Sequence, residues 1–243
     1  MNLQKHVSLN INVRGLGESP TLAINERVKL LQGQGKKIYN FGLGQSPFPV
    51  PAPVVEALRL HAHEKDYLPV KGLSALKEAV ASETYTSVSA PIQYAGVQAF
   101  QGSMAIERYL WNARRILSTL GQKCYRMLAD AGVRVHEPEG AFYMFPDFSP
   151  FSRRLAKKNV PNSTMLCERL LQEKGVAMLP GRAFERPLEE LSARISYINF
   201  AGNRSLAAGE TIPPHQELPA EFIQAHCEDT LMGIEAIVDW LEE

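Results

Sequence analysis

Phe41-Gly42-Leu43-Gly44-Gln45-Ser46-Pro47-Phe48-Pro49-Val50-Pro51 sets two glycines and three prolines into one short stretch. Glycine opens tight turns and leaves no Cβ to obstruct a close neighbour, while proline has no amide to extend a ladder or a helix. The stretch therefore reads as a turn that ends a strand over 37–41 and hands the chain to a helix opened by Pro53. That helix would set Val54, Val55, Leu58 and Ala62 on one face. A Gly-x-Gly pair alone occurs in turns of any protein.

On the amino-terminal side, Val7, Leu9, Ile11 and Val13 alternate with polar residues, the pattern of a short strand or extended arm. Ser19 and Pro20 suit the N-cap and first position of a helix through Leu31. On the other side, a short helix should follow Gly72, with Leu73, Leu76 and Val80 at helical spacing, and Ala90 to Phe100 also reads as helical. Ser103 caps a long helix to Asp130, striped by Ile106, Tyr109, Leu110, Ala113, Leu117, Leu120, Cys124 and Leu128, with Gly132 as its stop. Short strands are expected over 133–135, 141–145, 176–179 and 193–200, with a helix over 163–173 between the second and third. A closing helix over 219–241 carries Leu231, Ile234, Val238 and Leu241, and 207–219 reads as a surface loop rich in Pro and Glu. The sum is an α/β fold, a small antiparallel-rich sheet packed with helices.

With 243 residues and 45% hydrophobic content, the chain can bury a core in one or two domains. Twenty-six basic residues balance 26 acidic ones without a sustained basic run, which argues against electrostatic binding to nucleic acid or an anionic membrane. Cys124, Cys167 and Cys227 are odd in number and far apart, so neither a disulfide framework nor a metal spacing follows. No apolar run approaches the roughly 20 residues of a membrane span, and the amino terminus lacks a signal-peptide core. A soluble cytoplasmic chain is the expectation.

Among candidate site residues, Arg194 lies in a strand among apolar and small residues. A guanidinium there is costly to desolvate unless a carboxylate meets it. Read by itself, an internal ion pair with Glu189, Glu190 or Asp147 is the commoner arrangement. Tyr67, before Pro69 and Gly72, reads by itself as a half-buried turn anchor. His61 and His63, two apart on a helix, point in different directions and make a poor metal pair. Lys71, Lys77, Lys157 and Lys158 are the lysines to consider for covalent chemistry, and Lys157-Lys158 with Arg153-Arg154 reads as a solvated face. The sequence has no Gly-x-Ser-x-Gly elbow and no Cys-x-x-Cys pair.

Several of these motifs, in this order, resemble the class I/II aminotransferases, pyridoxal-phosphate enzymes of fold type I. The turn with Gly42 and Gly44, then Tyr67-Leu68-Pro69-Val70-Lys71-Gly72-Leu73, resembles the family's amino-terminal part. Ser82 to Ala95 is similar to the segment that follows the cofactor lysine. Gly140-Ala141-Phe142-Tyr143, Leu179-Pro180-Gly181-Arg182-Ala183-Phe184 and Arg194 resemble its carboxy-terminal small domain.

The resemblance implies a small domain plus long connecting helix, with Arg194 gripping a substrate α-carboxylate and Gly44 shaping the pocket. Tyr67 would reach the cofactor phosphate of the other subunit. Across Ser82–Glu83 the resemblance lacks a central block. With it go an Asn-Pro-x-Gly-type segment, an Asp and the Schiff-base lysine, none of which the sequence supplies in that context. The implied divisions are 1–82, an amino-terminal arm and the first part of the small domain; 83–130, the end of the large domain and the long helix; and 131–243, the small domain. The implied function is a shortened transaminase acting on amino acids and 2-oxo acids, inactive alone, as a homo-oligomer. The alternative is a non-catalytic regulatory module that dimerises with a full-length aminotransferase. Pyridoxal phosphate is the implied cofactor. Loss of the large-domain block should also leave apolar surface exposed around 90–102.

Overall fold

The structure is a computed structural model describing residues 20–42, 44–64, 73, 74, 76, 90–187 and 189–243. The arm over 7–13, the Ser19 cap, Tyr67, Lys71, Lys77, the Ser82–Glu83 join and most of the helix expected after Gly72 lie outside those residues.

The long helix α4 (Met104–Asp130) organises the fold. Ser103 is extended at its N-cap, and its Oγ accepts from the Ile106 amide at 3.2 Å, satisfying one of the amides that a helix start leaves open. Ile106, Ala113, Ile116, Leu120, Cys124 and Leu128 follow at steps of three, four or seven and are buried. Against this stripe pack α7 (Gly202–Glu210) and α9 (Glu228–Glu242), the latter burying Leu231, Ile234, Ile237, Trp240 and Leu241. Among its described side chains, helix α1 (Pro20–Gly33) buries Val28 and Leu31, in a smaller cluster with Ile38, Leu171 and Ala177.

Strand β1 (Tyr39–Asn40) pairs in parallel with β3 (Val176–Ala177). Helix α6 (Ser163–Lys174), capped by Asn162 Oδ1 on the Met165 amide, delivers β3 through Gly175 at φ +69°. A Cβ at Gly175 would lie 2.4 Å from the Lys37 carbonyl oxygen, so this residue sets how closely β3 approaches β1. A second sheet is antiparallel, in the order β2 (Tyr143–Met144), β5 (Ala193–Ser196), β4 (Leu179–Pro180). The architecture is thus α/β with a small antiparallel-rich sheet.

The strands are shorter than the sequence suggests. Ala141 takes φ +56° and cannot extend β2; 133–135 contributes a single bridge at Arg134; 193–200 stops pairing at Ser196. The apolar run over 176–179 splits, its first two residues joining β1 and its last joining β5.

The closing helix is two, α8 (Ala220–His226) and α9, broken at Cys227 (φ −132°, ψ 23°), where the His226 carbonyl accepts from Ser205 Oγ instead of a helical amide. The expected loop over 207–219 begins inside α7. Arg115 fastens the rest, donating to the carbonyls of Pro213, Gln216, Ile212 and Gly209.

The basic run is no simple solvated face. Although Arg153 and Lys157 of α5 (Ser152–Lys157) are exposed, Lys158 Nζ donates to the Trp240 carbonyl at 2.7 Å and Arg154 to that of Leu241 at 3.2 Å. Both complement the carboxyl end of α9. Helix α2 (Ala52–Leu60) packs on α3 (Ala90–Gln101), but none of the face expected for it is buried, and Ala62 falls in the turn beyond.

Candidate functional site

Strand register builds the site. Tyr143 pairs with Ser196, and Arg194, two residues along β5, shares the Ser196 face, so Tyr143 and Arg194 are diagonal neighbours. The Arg194 guanidinium carbon lies 4.6 Å from the Tyr143 ring centroid and 5.0 Å from that of Phe184. Phe184 is held edge-on by Phe145 at 5.6 Å. The Ser196 amide donates to the Phe41 carbonyl at 2.9 Å, bringing the glycine turn to the same strand. There Arg194 Nη2 donates to the Gly42 carbonyl at 3.3 Å, while Nε is buried without a partner.

The carboxylates considered as structural partners for Arg194 are engaged elsewhere or exposed. Asp147 pairs with Arg134 at 2.9 Å, Glu190 with Arg186 at 2.9 Å, and Glu189 is exposed. No described carboxylate forms an ion pair with Arg194. Gly44 lies beside the same cluster: a Cβ there would sit 1.5 Å from the Tyr143 hydroxyl. Gly44 and Arg194 therefore meet through Tyr143. What this half of a site can do is present planar N–H donors with one neutral carbonyl partner and two aromatic rings, a setting suited to bidentate binding of a carboxylate.

Tyr143 and Phe184 lie inside sequence motifs, but the motifs alone give them no place in the site. Aromatic residues in two separate motifs were the available signal; their convergence on one guanidinium depends on the β2–β5 register. Among the described residues, none of the other candidates is an ion-pair or ring partner of Arg194. The His61 ring stacks on Tyr94 at 3.8 Å, and both His61 and His63 approach Glu64. Among the described lysines, Lys37 pairs with Asp229, Lys174 with Glu243, and Lys158 with the Trp240 carbonyl; Lys29, Lys36, Lys123 and Lys157 are exposed. Burial pushes the Cys124 and Cys167 thiols up and raises Cys227 to about 12, which keeps all three protonated. Among the described residues no helix is long and apolar enough to cross a membrane, and no cluster of three metal-ligating side chains occurs.

Known proteins extend the picture. An aspartate aminotransferase from Pinus pinaster is 35% identical over 111 residues, covering 43% of this chain and 22% of that relative. An asparagine–oxo-acid transaminase from Streptococcus mutans is 31% identical over 122 residues, 49% of this chain and 28% of the relative. The matched stretches thus span well under a third of those relatives. In fold, the chain is similar to an aspartate aminotransferase from Thermus thermophilus solved with maleate, with a TM-score of 0.66 at 15% identity, covering 84% of this chain and 98% of that one. A Thermotoga maritima aspartate aminotransferase gives a TM-score of 0.63 at 14% identity, covering 97% and 100%. The model of aminotransferase class I and II matches residues 74–208, more than half of the sequence and including the glycine, aromatic and arginine motifs of β2, β4 and β5. The chain belongs to the class I and II aminotransferases.

Proposed function

We propose that this chain is a shortened aminotransferase that keeps a grip for the carboxylate of an amino acid or 2-oxo acid and does not transfer an amino group by itself. The observation carrying this reading is Arg194: a part-buried guanidinium over Tyr143 and Phe184 with no described carboxylate paired to it. Burying a cation without its counter-ion is unfavourable, and an incoming carboxylate would supply the missing charge. In this reading 83–130 is the end of a large domain with its connecting helix and 131–243 the small domain. Gly44 shapes the pocket, and Tyr67 serves the phosphate of the other subunit.

Members of this family use pyridoxal phosphate, whose aldehyde needs an amine and whose phosphate needs donors. The described residues do not fit it: the contacts of Arg194 come from Gly42, Tyr143 and Phe184, and no described lysine joins them. Turnover by this chain alone is therefore not part of the proposal. Two measurements test it. Calorimetric titration with maleate should show binding that Arg194→Met abolishes; equal affinity in both proteins refutes the grip. Treatment with pyridoxal phosphate and borohydride should leave no stoichiometric pyridoxyl adduct, and a single fully labelled lysine refutes the inactivity.

A second reading has its own observation. Ile92 near the start of α3, and Phe100 and Met104 at the α3–α4 junction, are 56%, 60% and 79% exposed, apolar side chains of the kind that favour association. They support a regulatory module that pairs with a full-length aminotransferase. Co-expression with such an enzyme should then give a mixed dimer on size exclusion, and its absence removes this reading.

A further inference from the structure

The geometry points to Tyr143 as a positioning residue that couples the glycine turn to the Arg194 guanidinium, an inference that rests on the carboxylate-grip reading above. Its ring lies against the cation at 4.6 Å, and its hydroxyl fills the space that a Gly44 Cβ would need, 1.5 Å away. The ring carbon bearing that hydroxyl would be 2.6 Å from the same Cβ, so the whole edge of the ring is fitted to a bare backbone. Tyr143 is fixed to Ser196 by strand pairing, and the turn to β5 by the Ser196 amide on the Phe41 carbonyl. Backbone thus holds both sides of the ring's slot. With Tyr143 and Phe184 over the guanidinium, its in-plane donors are left for a carboxylate.

A side chain at residue 44 must push the ring off this seat, so Gly44 acts on Arg194 through Tyr143 and not by direct contact. The turn and the arginine are about 150 residues apart in sequence, and Tyr143 carries any displacement of one to the other. This gives the pocket a mechanical dependence on how the turn is seated.

A double-mutant cycle on the full chain, read by maleate calorimetry, tests the inference. Gly44→Ala should weaken binding about tenfold, the scale of one well-formed cation–π contact. Tyr143→Phe, which keeps the ring, should stay within about threefold. The pair Gly44→Ala/Tyr143→Ala should bind no worse than Tyr143→Ala alone, because what Gly44 protects is then gone. Unchanged binding in Gly44→Ala, or additive losses in the pair, overturns the inference. Failure of the parent to bind maleate refutes the carboxylate grip, and a second readout still judges Tyr143. The rate of Arg194 modification by phenylglyoxal, followed by peptide mass spectrometry, should rise several-fold in Tyr143→Ala and Gly44→Ala but not in Tyr143→Phe. Equal rates throughout overturn it, and thermal melting of each variant separates repositioning from unfolding.

Discussion

Helix α2 and helix α9 both repeat apolar residues at three- and four-residue steps, yet α2 buries none of them while α9 buries Leu231, Ile234, Ile237, Trp240 and Leu241. The difference is what each helix faces. Helix α9 meets α4, α6 and the β1–β3 pair, whereas α2 meets chiefly α3, which itself leaves Ile92 and Phe100 in solvent. Periodicity reports that a helix has an apolar side; only the neighbours decide whether that side is covered. Residues 104–243 close a core together with Tyr39, Phe41 and Phe48, and among the described residues α2 and α3 keep exposed apolar side chains.

The widest gap between the two regions should appear on truncation. Trp240 is fully buried, its Nε1 donates to Glu173 at 2.6 Å, and Lys158 lies over its ring at 4.4 Å. Trp240→Ala should cost about 3–5 kcal/mol, whereas Leu60→Ala on α2 should stay within about 0.5 kcal/mol. Urea unfolding followed by circular dichroism measures both, and comparable losses would break the contrast. Next in size is Gly175→Ala, which combines a left-handed backbone with the close Lys37 carbonyl. It should cost at least about 2 kcal/mol and loosen the β1–β3 pairing, visible as faster exchange of the Tyr39 and Phe41 amides. Ser103→Ala, removing the cap at the entrance to the closed core, should cost about 1 kcal/mol by the same urea measurement.

Much of this core was legible in the sequence. Ser103, the stop near Gly132 and the Ile106, Ala113, Leu120, Cys124 and Leu128 part of the α4 stripe follow from capping chemistry and a 3.6-residue period, which are local properties. The expected Tyr109, Leu110 and Leu117 are only half-buried, and the fully buried Ile116 lies outside the expected stripe. The break at Cys227 was not legible, because it depends on Ser205 reaching the His226 carbonyl from another helix. Nor was the role of Lys158 and Arg154, whose charges are answered by the carboxyl end of α9, over 80 residues away in sequence. In the site, the family motifs marked Arg194 and Gly44, but the aromatic setting could not be read, since Tyr143 reaches Arg194 only through the β2–β5 register. Tyr143 and Phe184 lie in separate motifs, and nothing in their spacing brings them together.

The smallest expected effect sharpens the same comparison through pH. Burial would raise the Glu173 carboxyl, but bonds from Trp240 Nε1 and Arg169, with the nearby positive charges, outweigh it and hold the pKa below its usual value. Glu190 is also held down, first by Arg186 and then by Ser192 Oγ. A carboxyl with a depressed folded pKa binds fewer protons folded than unfolded, so its contribution is present above the unfolded value of about 4.3 and is lost as pH falls through the folded one. Both groups belong to the 104–243 region, so acid should loosen the closed core. The urea midpoint should fall between pH 6 and pH 3.5, and Glu190→Gln should flatten that fall while lowering the midpoint at pH 6. Since both carboxylates are partly solvated, the change should be modest, and added salt should shrink it. A fall of the same steepness in Glu190→Gln would remove that residue from the acid response and leave Glu173, bonded to Trp240, to carry it.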